Sequence, residues 1–150
     1  MLAALSWRTI VLVFAASAAV NVGSRAHPYK LGAVVHSDGF AVTVVSVQHR
    51  ALAGRSDVTV TIRATNQAKF QGIPFVDGTL GAVDASGFTY SSLSRSCGTI
   101  PGDVTVLNPV RPGATVTVHT CWKVANFDLK SLVMYYAPYD GSRETYFALH

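Results

Sequence analysis

The side chains able to do chemistry in this chain are few: five histidines, two cysteines and eight carboxylates among 150 residues. His27 is the sharpest candidate, because it directly follows Ser24-Arg25-Ala26, which carries small residues at the two positions a signal peptidase inspects. Cleavage after Ala26 makes His27 a terminus whose free amine and imidazole together suit copper, an ion well served by nitrogen donors. A second imidazole must complete such a site, and His36, His49 and His119 are the candidates. Pro28 restricts backbone chelation and no His or Met cluster accompanies His27, so a metal carrier is the alternative reading; the first expects no cofactor. His119 lies mid-strand beside Thr115 and Thr117, and His49 and His150 lie at a strand end and the chain end, where water is the ordinary partner.

The acids tell a plainer story. Asp38, Asp77 and Asp140 each precede glycine, and Asp84 opens Asp84-Ala85-Ser86-Gly87. Calcium ligation or acid/base work would use such residues, but side-chain to backbone hydrogen bonds in turns account for all four. No GxSxG elbow, HExxH pair or Gly-rich phosphate loop is present, so a secreted hydrolase has no support and we expect no enzyme. Cys97 and Cys121 form an even pair, expected to bond to each other in an oxidising compartment. Closing a loop of that length stabilises by about 3 kcal/mol on the loop-entropy account. Two isolated cysteines without a CxxC or HxxxH spacing do not make a zinc site. Tyr135, Tyr136, Tyr139 and Tyr146 crowd the C-terminal hairpin beside Arg143. Neighbours on a strand face opposite sides, so at least one of Tyr135 and Tyr136 must reach the surface, and the cluster is the candidate surface for a glycan or protein partner. Ordinary coverage of a sheet edge is the competing explanation.

These residues need a scaffold, and the scaffold needs an address. Residues 1–8 carry one positive charge, residues 9–23 are uncharged with an apolar middle at 10–16, and Ser24-Arg25-Ala26 follows. We read residues 1–26 as a cleaved helical secretory signal and 27–150 as one domain, with cuts after Ala18 or Gly23 as weaker options. The apolar run is shorter than the roughly 20 residues of a spanning helix, so no stable membrane insertion is expected after cleavage, with an uncleaved membrane anchor as the lesser alternative. The product is expected outside the cell or in its envelope. Without Arg8 and Arg25, ten basic residues face eight acids, a net +2 that is too small for a nucleic-acid binder. A protein or cell-envelope component is the expected partner.

Composition points to strands: Val and Thr together number 34, against four lysines and one glutamate. Strand-like runs recur with turn signals between them, at 31–36, 40–48, 57–65, 79–83, 88–91, 104–107, 114–124, 132–136 and 145–149. In 57–65, Val58, Val60, Ile62 and Ala64 face inward and Thr59, Thr61, Arg63 and Thr65 outward. In 40–48 the apolar role passes from Phe40, Val42 and Val44 to Val45 and Val47, which predicts a bulge or a strand buried on both faces. Residues 50–55 and 66–72 read as loops, and 84–87 as a four-residue hairpin connection. One helical turn is expected near 127–130. In 114–124 the Val116, Val118, Thr120 and Trp122 face opposes Thr115, Thr117, His119 and Cys121, so the disulfide pins loop 91–102 rather than crossing the core. About nine strands without a helix predict an all-β, two-sheet antiparallel sandwich of immunoglobulin type.

Four segments carry a family resemblance: Leu31-Gly32-Ala33-Val34-Val35 with Asp38-Gly39-Phe40-Ala41-Val42-Thr43-Val44; Val58-Thr59-Val60-Thr61-Ile62-Arg63-Ala64-Thr65-Asn66; Val83-Asp84-Ala85-Ser86-Gly87-Phe88-Thr89-Tyr90; and Val110-Arg111-Pro112-Gly113-Ala114-Thr115-Val116 ahead of Trp122. The chain resembles, over residues 31–149, the immunoglobulin-like domain of unknown function found in exported actinobacterial and other Gram-positive proteins, and is similar to the mycobacterial secreted immunoprotective antigen family. The resemblance implies an immunoglobulin-like sandwich, an extracellular or envelope location and no established enzymatic activity. It brings no catalytic or binding residue. The cysteine pair is not part of that pattern, which marks loop 91–102 as an elaboration of this chain.

Overall fold

The computed structural model of the chain describes residues 21–73, 75, 78–91, 97–98, 100–104, 109–138 and 143–150. Eight strands are assigned among them: β1 (Val34–Ser37), β2 (Phe40–Leu52), β3 (Arg55–Asn66), β4 (Gly78–Val83), β5 (Thr89–Ser91), β6 (Thr115–Ala125), β7 (Val133–Pro138) and β8 (Thr145–Ala148). A 3₁₀ turn at Leu129–Ser131 precedes β7 and meets the expected helical turn. One antiparallel sheet runs β1-β2-β3-β6 and the other β5-β4-β7-β8. The chain changes sheet after β3, after β5 and after β6, so β2-β3-β6 and β5-β4-β7-β8 take the places of the two sheets of an immunoglobulin-type sandwich.

Side-chain alternation builds the interior. Val58, Val60, Ile62 and Ala64 of β3 are fully buried, and their partners Val118 and Trp122 on β6 are equally enclosed. The second sheet answers with Leu80, Ala82, Met134 and Phe147, and Leu132 closes the core just ahead of β7. The predicted bulge in β2 lies between Val44 and Ser46, where the pairing with β3 shifts by one residue. Asp38 and Gly39 both take positive φ, 47° and 75°, giving the two-residue β1–β2 hairpin the mirror-image turn that suits strand twist.

Three expectations need correction. Residues 50–55 are not a loop: β2 and β3 stay paired to Leu52 and Arg55, and only Ala53 and Gly54 turn. From Gln48 to Leu52 every β2 residue is exposed, so this arm has no buried face to impose alternation. Phe88 belongs to the β4–β5 connection and not to the strand, since pairing stops at Val83 and Thr89. Val104 is buried in a helical turn rather than a strand, after a single bridge from Asp103 to His119; residues 105–107 lie outside the described residues.

The Cys97–Cys121 disulfide is present, with Cα atoms 5.9 Å apart. Cys121 points to the outer face of β6 and takes a hydrogen bond from the Thr59 hydroxyl at 3.3 Å. His119 Nδ1–H donates to the Pro101 carbonyl at 2.9 Å, and the His119 amide donates to Gly102 at 2.8 Å. Cys97, Pro101 and Gly102 thus lie along β6 from outside, as the facing of Cys121 requires.

Ahead of β1, residues 21–29 lie against β8. The Tyr146 amide donates to the Gly23 carbonyl at 2.9 Å, the Tyr29 amide to Tyr146 at 2.8 Å, and the Ala148 amide to Tyr29 at 2.8 Å. Tyr29 and Phe147 form a parallel bridge, and their rings meet at 5.9 Å. The boundary read after Ala26 falls inside this segment.

Candidate functional site

The C-terminal hairpin sorts its aromatics by strand pairing. Met134 stands opposite Phe147 and Tyr136 opposite Thr145 on the inner face, while Tyr135 stands opposite Tyr146 on the outer one. Of the five residues of the candidate surface, Tyr135 and Tyr146 come together outside, with ring centroids 6.2 Å apart. Tyr136 turns inward and packs against the core. Arg143 donates to the Asn21 side chain and so belongs to the N-terminal segment's contacts. Tyr139 lies outside the described residues.

The outer pair is seated by a missing side chain. Gly81 faces Tyr135 across β4 and β7, and a Cβ there would stand 2.8 Å from the tyrosine hydroxyl and ring. Glycine lets the ring lie down across β4. Burial raises the Tyr135 pKa, with the Glu144 charge adding to it. Tyr146 is pushed up to about 12, first by burial and then by donating its hydroxyl proton to Glu144. Both phenols are neutral at physiological pH.

Behind Tyr136 the two sheets part. An apolar cavity of about 190 Å³ opens there, lined by Phe40, Ile62, Phe75, Met134, Tyr136 and Phe147. Leu80 forms part of its wall from β4. Ser37, Asp38 and Thr145 bring polar groups to the lining, the first two from the β1–β2 turn. Phe40 and Phe75 meet edge to face at 5.3 Å, which holds one wall in place. The sequence marks Phe40 and Ile62 as inward-facing, but a residue that lines a void has the same pattern as one that fills it.

At the other end of the sandwich a wider hollow is bounded by Arg55, Lys123, Asp84, Asp128, Phe88 and Phe127. Its acids are engaged in local structure. Asp84 accepts from the Phe88 amide at 3.0 Å and from the Ser86 hydroxyl at 2.7 Å, and these bonds, Ser86 foremost, lower its pKa against the opposing effect of burial. This is the turn role expected for Asp84; Asp77 and Asp140 lie outside the described residues. Asp128 accepts from Tyr90 at 2.8 Å. Phe88 and Phe127 are left 61% and 85% exposed, an apolar lip without a charge preference.

His27 is exposed, and its backbone N–H bonds to Ser24. His36 bonds to Gln67 at 2.8 Å. Among the described residues no three His, Cys, Asp or Glu side chains gather to hold a metal.

No protein-family model matches the chain, and no curated protein does. Solved structures match it in shape. An uncharacterized beta-sandwich protein from Clostridium difficile 630 superposes with a TM-score of 0.56 at 17% identity, over 82% of this chain and 95% of that one. This chain is a β-sandwich. A conserved hypothetical protein from Bacillus anthracis superposes with a TM-score of 0.53 at 14% identity, over 79% of this chain and 94% of its own. At these identities the likeness is one of fold.

Proposed function

We propose that the chain is an exported, non-enzymatic β-sandwich module that binds a protein or cell-envelope component by receiving one compact apolar group of it between the sheets. The observation that carries this reading is the cavity of about 190 Å³ behind Tyr136. Engineered apolar cavities of about 150 Å³ hold benzene, whereas pockets that enclose drug-sized ligands run to roughly 300–1,000 Å³. The fitting group is therefore one aromatic ring or a short branched alkyl chain, and a long acyl chain or sterol is too large. The hydroxyls of Ser37 and Thr145 can take hydrogen bonds from whatever backbone or headgroup carries it. The apolar N-terminal run, the disulfide and the resemblance to exported immunoglobulin-like domains support export, and the absence of hydrolase motifs from the sequence supports a binding role.

The test is an NMR titration of the protein with toluene and with indole. Saturable shifts at Phe40, Met134 and Phe147 are expected, and Leu80→Phe, which fills the void from its wall, should abolish them while the fold is retained. Uniform or non-saturating shifts in the wild-type protein would remove the proposal.

A further inference from the structure

We infer that, on export, the chain is processed upstream of Asn21, after Ala18, so that residues 21–26 remain as a working part of the mature domain. This rests on the export reading above.

Four observations in the described residues carry it. Gly23 is buried with φ +85°, and a Cβ on it would stand 2.5 Å from the Tyr29 ring, so the backbone there is shaped around a core-facing aromatic. The Gly23 carbonyl accepts the Tyr146 amide of β8. Arg25 donates its guanidinium to the Asp84 carbonyl, which belongs to the β4–β5 connection. Asn21 accepts from Arg143, just ahead of β8. The segment is therefore bonded to both ends of the β5-β4-β7-β8 sheet. A cut after Ala26 would take away all of these groups together, leave the Tyr146 amide at the outer side of β8 without its acceptor, and put a charged amine at His27 where an amide now donates to Ser24.

A signal peptidase acts while the chain is still threading through the membrane, so folded accessibility does not choose the bond. Sequence does, and it offers a second site: Ala16-Ser17-Ala18 has small residues at both inspected positions and begins at the last residue of the apolar run 10–16, whereas Ala26 lies well beyond it. Cutting there removes the leader and spares every contact described. It also keeps the His27 nitrogen in a peptide bond, which denies the copper reading its amine donor.

The experiment is expression of the full chain with its own leader in an exporting bacterium, followed by N-terminal sequencing and intact mass of the exported protein. A terminus at Ala19, Val20 or Asn21 supports the inference. A terminus anywhere from Val22 to His27 overturns it while leaving export standing, and a full-length chain retained in the cells overturns export itself. Gly23→Val in the same exported chain should lower the melting temperature by on the order of 5 °C, from the Tyr29 clash and the positive φ. An unchanged melting temperature would count against residues 21–26 belonging to the fold.

Discussion

Tyr90 and Tyr146 hold their protons more tightly than a solvated phenol, each pushed up to about 12, with burial as the leading cause and a carboxylate partner, Asp128 or Glu144, as the next. The unfolded chain releases these protons near pH 10. Between there and about pH 12 the native state binds more protons than the unfolded one, so the stabilising contribution of these residues is complete below pH 10 and is lost as pH rises through 12. Alkaline titration of phenolate absorbance should therefore show Tyr90 and Tyr146 ionising late, with Tyr135 also delayed beyond a solvated phenol. Asp128→Asn should bring one of them down and leave the other in place. Asp84 works in the opposite direction: its carboxylate is favoured by the turn, so its contribution holds above the ordinary carboxylate range and fades as pH falls through its lowered pKa.

At the scale of elements, the disulfide lies on the outer face of β6, away from the Trp122 side. Cys97→Ser, or reduction, should cost about 3 kcal/mol, read as a lower melting temperature, while Trp122 emission in the still-folded protein stays unchanged. A red shift of that emission would mean the bond reaches the core after all. The facing of Cys121 was legible beforehand because Val118, Thr120, Trp122 and Val124 hold the inner face of β6 at every second position, and β3 and the β2 bulge were legible for the same reason: one face of each is pressed against an apolar layer. The end of β2 was not, since Gln48 to Leu52 are exposed on both faces and nothing constrains their residue order. Phe88 misled in the other direction, as a large apolar side chain placed in a turn. For the site, alternation alone separates Tyr135 from Tyr136. The cavity and the Gly81 seat depend on how far two sheets diverge and on contacts between residues distant in sequence, which no local pattern records.

The described residues form two four-stranded layers whose connections cross between sheets three times. The cavity lies at the end bearing the β1–β2 turn, and the hollow with Phe88 and Phe127 at the other. Residues 21–29 join the β8 side of one layer to the start of β1 in the other, so one stretch of chain borders both sheets. It occupies the hydrogen-bonding side of β8 that faces away from β7. A bare strand of that kind is a template on which another copy can add its own, and repeated addition grows a polymer. Here residues 21–29 occupy the template, Tyr29 with two of the three hydrogen bonds to β8, so protein lacking residues 21–29 should show rising light scattering on concentration where the longer form does not; equal scattering by both would show that the segment has no part in keeping copies apart.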